Sequence, residues 1–366
     1  MSDAHPDVRT PAWHRSAVES ADTTVTAQMG KVLGYLKGIH ATHLIKLGVD
    51  LGLFEALKVS GSSMPSTLAA ATGLHAPYVR VWCEAACGLE ILDLDPVTGY
   101  RLAPFMDQIL GDPGGTFSLR NFPELHLTLA HDYARYPELF GTGGTHPYAE
   151  HDEAFLSQVA SALDVLPRMF LDAVLPGLPI LEEKLTAGAK VLDVGCGAGA
   201  AIVEFAERFP AVRCVGQDID AASIRMAQER ITSHGLDDRV SARLIDVGPW
   251  PDDLADGSFD LVMSYLVLHE IDPNLKTAVL ADSVQAMSPN GHLLLFDERY
   301  PSDPAELRDG TQIFAVMAQW YELTWGNVLN TREEIVAMLD DVGLKVVQET
   351  ALSRFHIVVA AHAENR

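Results

Sequence analysis

VLDVGCGAGA, residues 191–200, carries an apolar strand into three alternating glycines, with helical sequence directly behind them. Glycine lets the backbone turn tightly and lets a ligand approach where a Cβ would intrude. Gly195, Gly197 and Gly199 therefore predict a nucleotide-like ligand at a strand-to-helix turn. The spacing is GxGxG, not the GxGxxG that seats a dinucleotide pyrophosphate, which disfavours an NAD-dependent oxidoreductase. Asp193, two residues before the first glycine, would repel a pyrophosphate but would suit a cationic ligand. Outward from this turn, KVLDVGC, RCVGQDI, VSARLID, FDLVMSYLVL and GHLLLFDERY alternate with the helical segments AIVEFAERF, AASIRMAQERI and NLKTAVLADSVQAM. Near-continuous apolar strands separated by helices indicate a parallel sheet covered on both faces. LKVVQETAL and FHIVVAAHA, with only Ser353 and Arg354 between, predict a closing hairpin and hence an antiparallel last strand.

Two strand ends carry acids. Asp218 lies where a doubly wound fold brings a carboxylate to ribose hydroxyls, and Asp246 closes the next strand near an adenine edge. Cys196 reads as packing.

Ahead of this region, residues 1–27 are polar and aperiodic and are expected to form a loose arm. From Met29, Val32, Leu33, Leu36, Ile39 and Leu44 recur at helical steps, and LGLFEAL (51–57) continues them. MPSTLAAATGL predicts a short helix capped by Ser66 and stopped at Gly73, and Pro77 opens another. DLDPVTGYRLAP (93–104) is a hairpin by its turn residues. Helices followed by a hairpin give the order of a winged helix over 28–110. Residues 111–180, broken by Pro and Gly, are expected to be helical linker and pocket cover, and 181–366 the α/β domain.

DVGCGAG, the acid in VGQDID, IDVGPWP, SFDLVMS and SPNGHLLLFDE together resemble the class I S-adenosylmethionine-dependent methyltransferases. The resemblance implies a Rossmann-like seven-stranded sheet with an antiparallel last strand. It places Asp193 and the glycines at the donor's methionine part, Asp218 at its ribose, and Asp246 with Val247 at its adenine. A winged helix in front is similar to the dimeric small-molecule O-methyltransferases of plants and bacteria, which implies a homodimer joined through the N-terminal domain. In that group a His after the fourth strand of the sheet is the general base, a place filled here by His269. Imidazole suits the task because its unperturbed pKa of ~6.5 leaves it able to take a hydroxyl proton near neutrality. Asp297 or Glu298 would orient it. The second carboxylate of that group is not evident, since Asn327, Leu329 and Asn330 stand at the candidate positions. Tyr133, His126, Trp320 and Trp325 are expected to line the acceptor pocket.

Composition narrows the partners. The chain has 366 residues, with 26 Lys and Arg against 50 Asp and Glu, a formal net charge of −24. Such a polyanion without a basic patch is repelled by nucleic acid and by anionic membrane. Between 61 and 110, Arg80 and Arg101 face Glu84, Glu90, Asp93, Asp95 and Asp107, so the winged helix is not expected to read DNA. Four cysteines without CxxC spacing predict free thiols, and neither a signal peptide nor a membrane span is recognisable, so a cytoplasmic protein is expected. His126, His131, His146 and His151 form pairs five apart, which is not the spacing of metal ligands on one helix face, so no metal is expected. The function expected is methyl transfer to a small-molecule hydroxyl. The alternatives are S-methylation of a thiol or thioether and a winged-helix regulator that senses the nucleotide.

Overall fold

The computed structural model describes residues 24–363. Most of the expected arm lies outside these residues, and its last three are already helical. The chain forms two compact units, divided after Asp107.

In the first unit, α1 (Val25–Asp50) is capped by the Thr24 hydroxyl, which accepts from the Ala27 N–H at 3.1 Å. Leu51–Gly52 interrupts the expected continuation, and α2 (Leu53–Ser60) starts afresh from Gly52 at φ +65°. α3 (Pro65–Thr72) is not capped by Ser66. Met64 holds that position, and Pro65 at the first turn has no N–H to satisfy. α4 (Ala76–Gly88) leads to the hairpin of β1 (Leu92–Asp95) and β2 (Gly99–Leu102). Ser63 adds a third rung, exchanging backbone hydrogen bonds of 2.8 and 2.9 Å with Tyr100. Leu53, Phe54, Leu57, Leu68, Val79, Trp82 and Leu92 are buried together, Phe54 edge-on to Trp82 at 5.4 Å. Helices α2 to α4 and the hairpin thus share one core. Most of the apolar side chains of α1 stay outside it.

The second unit opens with short helices, among them Phe122–Leu129, Tyr136–Thr142, Glu153–Leu163 and Pro179–Ala187. Seven strands follow: β3 (Lys190–Val194), β4 (Arg213–Asp218), β5 (Val240–Leu244), β6 (Phe259–Tyr265), β7 (Met287–Glu298), β8 (Leu344–Leu352) and β9 (Phe355–His362). Their order is β5-β4-β3-β6-β7-β9-β8, parallel except for β9, which runs antiparallel to both neighbours. This is the sheet predicted from the sequence, closing hairpin included. Successive side chains serve opposite faces. Val191, Leu261, Met263, Leu294 and Phe296 pack under the helices of one side, and Leu192, Val262, Leu293, Leu295 and Val358 under those of the other. The strand order reverses between β3 and β6, and the crevice beyond their carboxyl ends is where open α/β sheets bind ligands. Both motifs of interest end there. Among the described residues, no helix is long and apolar enough to cross a membrane.

Candidate active site

The glycine turn leaves β3 at Gly195, whose N–H and that of Cys196 both donate to the Gln217 carbonyl, at 2.9 and 3.0 Å. Gly195 has φ +69°, and a Cβ there would lie 2.6 Å from a methyl of Val267. Gly197, at φ +51°, would point a Cβ into open space. Its N–H donates to Asp218 Oδ2 at 2.9 Å, while the Asp220 N–H donates to Asp218 Oδ1 at the same distance. Asp218 therefore braces the turn, and each of its oxygens keeps a lone pair for a ligand. The Ile245 N–H donates to the Asp218 carbonyl at 2.9 Å, which ties the loop of Asp246 and Val247 to this corner. Both of those residues are exposed.

Asp193 is 1% exposed, and its Oδ1 has no hydrogen-bond partner. Burial, then the charge of Asp218, pushes its pKa well above the usual carboxylate range. Both side-chain amide atoms of the buried Gln217 and the Ser264 hydroxyl also lack partners. Buried polar groups left so are costly unless a ligand completes them. A ligand with an ammonium group would satisfy Asp193, and the open side of Gly197 admits it. The residues fit S-adenosylmethionine. Cys196 is buried, and burial holds its thiol well up, consistent with packing alone.

On the acceptor side the chain turns sharply after β6. Leu266 takes φ +61°, rare for a branched side chain, and is pinned by its N–H donating to the Phe296 carbonyl at 2.7 Å. The turn delivers Val267 against Gly195 and His269 to the end of β7. There the His269 N–H donates to Asp297 Oδ2 at 3.1 Å, and its Nδ1 hydrogen-bonds Asp297 Oδ1. The Glu298 N–H also donates to Asp297 Oδ1, at 2.7 Å. Of the two acids expected to orient His269, only Asp297 touches it. Glu298 turns to Arg354, whose Nε lies 2.5 Å from Glu298 Oε1, and burial raises the Glu298 pKa to about 7 despite that charge.

A second carboxylate that the sequence did not single out, Glu322, also reaches the ring. Its Oε2 lies 3.2 Å from His269 Nε2, and Glu270 Oε1 lies 3.9 Å away. Glu322 ends the helix Ile313–Glu322 instead of occupying the loop before the helix Arg332–Asp341. The three positions examined in that loop have other partners. Asn327 donates its amide to Glu322 at 3.2 Å, Leu329 is buried, and Asn330 accepts from Lys276 at 3.1 Å. One signal was present in the sequence: Glu322 is the sole acid in the apolar run IFAVMAQWYE. Burial opposes charge on His269, but Asp297 and Glu322 outweigh it and hold the ring's pKa well above the usual imidazole range.

The four expected acceptor residues divide into two groups. Trp325 is buried against Tyr148, Phe155 and Tyr321, and His126 meets Tyr321 edge-on at 6.3 Å, so both adjoin the end of the Glu322 helix. Tyr133 and Trp320, both about half exposed, form a separate cluster with Phe140 and the buried Tyr136. Burial, then the charges of Glu270, Asp220, Asp218 and Glu322, push the Tyr148 phenol well up.

Residues 191–291 match the family described as "Methyltransferase domain". The chain is 34% identical over 120 residues to Methyltransferase GfsG of Streptomyces halstedii, covering 32% of this chain and 41% of that one. It spans 7% of a polyketide synthase, ThaQ of Burkholderia thailandensis, which it matches at 29% identity over 162 residues. It therefore spans less than half the length of either. A longer match is 3-hydroxy-5-methyl-1-naphthoate 3-O-methyltransferase of Streptomyces sahachiroi, 24% identical over 322 residues, covering 85% of this chain and 88% of the other. In fold it is similar to human N-acetylserotonin methyltransferase in complex with SAM, with TM-score 0.68, 16% identity and coverage of 94% of this chain and 99% of that one. With the seven-stranded sheet, the glycine turn and the domain match together, the chain carries a class I S-adenosylmethionine-dependent methyltransferase domain.

Proposed function

We propose that the chain methylates a hydroxyl group of a small molecule, with His269 as general base and Asp297 and Glu322 on its two nitrogens. The observation that carries this reading is the imidazole held between two carboxylates at the end of β7, beside the switch-point crevice. The donor brings a methyl group already activated by its sulfonium. The protein has to align, desolvate and remove one proton. Asp297 fixes the ring through Nδ1 and leaves Nε2 to face the acceptor. A hydroxyl entering beside Glu322 replaces the 3.2 Å contact and gives its proton to Nε2 as the methyl arrives. The O-methyltransferase names among the relatives and similar structures support oxygen as the acceptor atom.

Asp193 and the glycines would hold the donor's methionine part, Asp218 its ribose, and Asp246 with Val247 its adenine. His126 and Trp325 would line the acceptor side near Glu322, with Tyr133 and Trp320 nearer its mouth. The first unit would join two copies of the chain through α1.

The test is turnover of labelled methyl donor with a panel of phenols, alcohols and thiols, in the wild type and in His269→Ala. A positioned base contributes typically ~10²–10⁴-fold, so kcat on a hydroxyl acceptor should fall by that order while donor affinity holds. Near wild-type turnover by His269→Ala, or a strong preference for thiols, would move the assignment to sulfur.

A further inference from the structure

We propose that Asp132, His146 and His151 form a binding site for a divalent transition-metal ion of the zinc type, apart from the residues that handle donor and base. The three belong to a stretch broken by prolines and glycines. Asp132 opens the single turn Asp132–Ala134, and His146 and His151 flank the turn Tyr148–Glu150. Their five-residue spacing suits no shared helix face, but a loop brings them together. One ligand atom from each lies within 4.8 Å of the other two. The imidazole centroids are 4.4 Å apart.

The hydrogen bonds around the cluster turn a nitrogen or an oxygen of each residue toward a shared centre that a cation can occupy. His151 Nδ1 is 3.0 Å from the Tyr148 carbonyl, which can only accept, so Nδ1 carries a proton. In the neutral ring Nε2 is then a lone pair, and it lies 2.9 Å from Asp132 Oδ2. Two acceptors at that distance repel unless a positive centre, a proton on Nε2 or a metal ion in its place, lies between them. His146 Nδ1 is likewise tied, 3.1 Å from Glu150 Oε2, which leaves its Nε2 free. Orientation of each imidazole by an oxygen on its other nitrogen is the usual outer shell of metal-ligating histidine. The same Asp132 Oδ2 accepts the Trp325 indole N–H at 2.8 Å, which fixes the carboxylate in place. Asp132 and the side chain of His151 are buried, so the charge is shielded from water.

Two imidazoles and one carboxylate suit Zn²⁺ or Co²⁺, not the oxygen-only shells of Mg²⁺ and Ca²⁺. Three protein ligands leave a fourth position for water. The His146 N–H donates to the Thr324 carbonyl at 2.6 Å, and Trp325 reaches Asp132. The ion would therefore fasten this stretch to the turn that follows Glu322, steadying the wall beside the base.

The experiment is chelator-stripping of the full chain followed by titration with Zn²⁺ against a chromophoric competitor, with Co²⁺ as a spectroscopic substitute. One equivalent should bind and survive gel filtration, raise the unfolding temperature, and with Co²⁺ give intense visible bands of low coordination number. His146→Gln, at a partly exposed loop position, should weaken binding roughly a hundredfold or more, and His131→Gln, outside the cluster, should bind as the wild type does. Absence of stoichiometric Zn²⁺ binding by the wild type, or equal binding by His146→Gln and Asp132→Asn, would overturn the site and leave a His151–Asp132 ion pair. Neither result depends on methyl transfer.

Discussion

His269 shows how one side chain's chemistry is decided by what surrounds it. A free imidazole near neutrality is mostly the neutral base that the reaction needs. Here burial disfavours the charged ring, but Asp297 and Glu322 stabilise it, with the net result of a raised pKa. A base must be unprotonated before it takes a proton, so activity should rise with pH through an apparent pKa above the ordinary imidazole value. Glu322→Gln removes one anion that favours the imidazolium. Its pH–rate profile should shift to lower pH, with kcat reduced and donor affinity kept. A profile that stays in place would show that Glu322 does not face the working nitrogen. A Glu322→Asp variant should recover part of the shift, because charge, not volume, sets it.

At the scale of elements, the glycine turn after β3 and the turn that carries His269 are mechanically one piece. Gly195 and Val267 meet because β3 and β6 are neighbours at the point where the strand order reverses. A methyl group at Gly195 would adopt an unfavourable φ and press on Val267, two residues before His269. Strain of this kind costs ~1–3 kcal/mol, and overpacking about as much. Gly195→Ala is therefore expected to lower stability by about 2–4 kcal/mol, to weaken donor binding and to depress kcat. Denaturant unfolding with donor titration checks it. Adding Val267→Ala should restore part of the stability, since contacting positions couple. An additive double mutant would mean that the two turns are independent.

For the whole molecule, the surface that stands out is α1. Among the described residues, Val25, Met29, Val32, Leu33, Leu36 and Ile39 are each more than half exposed, an apolar stripe at helical spacing. Contiguous apolar patches of this kind mark interaction sites, and a second copy meets the proposal above. The acidic chain would otherwise keep copies apart, so the association has to be apolar. Light scattering at micromolar concentration should give a dimer. Leu33→Lys with Leu36→Lys should give a monomer whose second unit stays folded, and a wild-type monomer would remove the dimer from the reading.

What the sequence determined by itself was local or periodic. Strand and helix alternation, the glycine turn, the closing hairpin and the winged-helix order all follow from patterns a few residues long, because backbone conformation and burial are written at periods of 2 and 3.6. Asp193, the glycines, Asp218, His269 and Asp297 sit at strand ends, so their convergence follows once the strands are parallel. The choice between Asp297 and Glu298 was not legible, because adjacent strand residues point to opposite faces and only the position of Arg354 shows which face is which. Glu322 was missed for a related reason. It reaches His269 from the end of a helix 53 positions away, and no local spacing records how helices return across a sheet. The same holds for Asp132, which the sequence did not single out, and for His146 and His151, whose spacing argued against a shared helix face while the loop placed them together. Periodicity fixes elements. The meeting of side chains across loops is settled only when the whole chain packs.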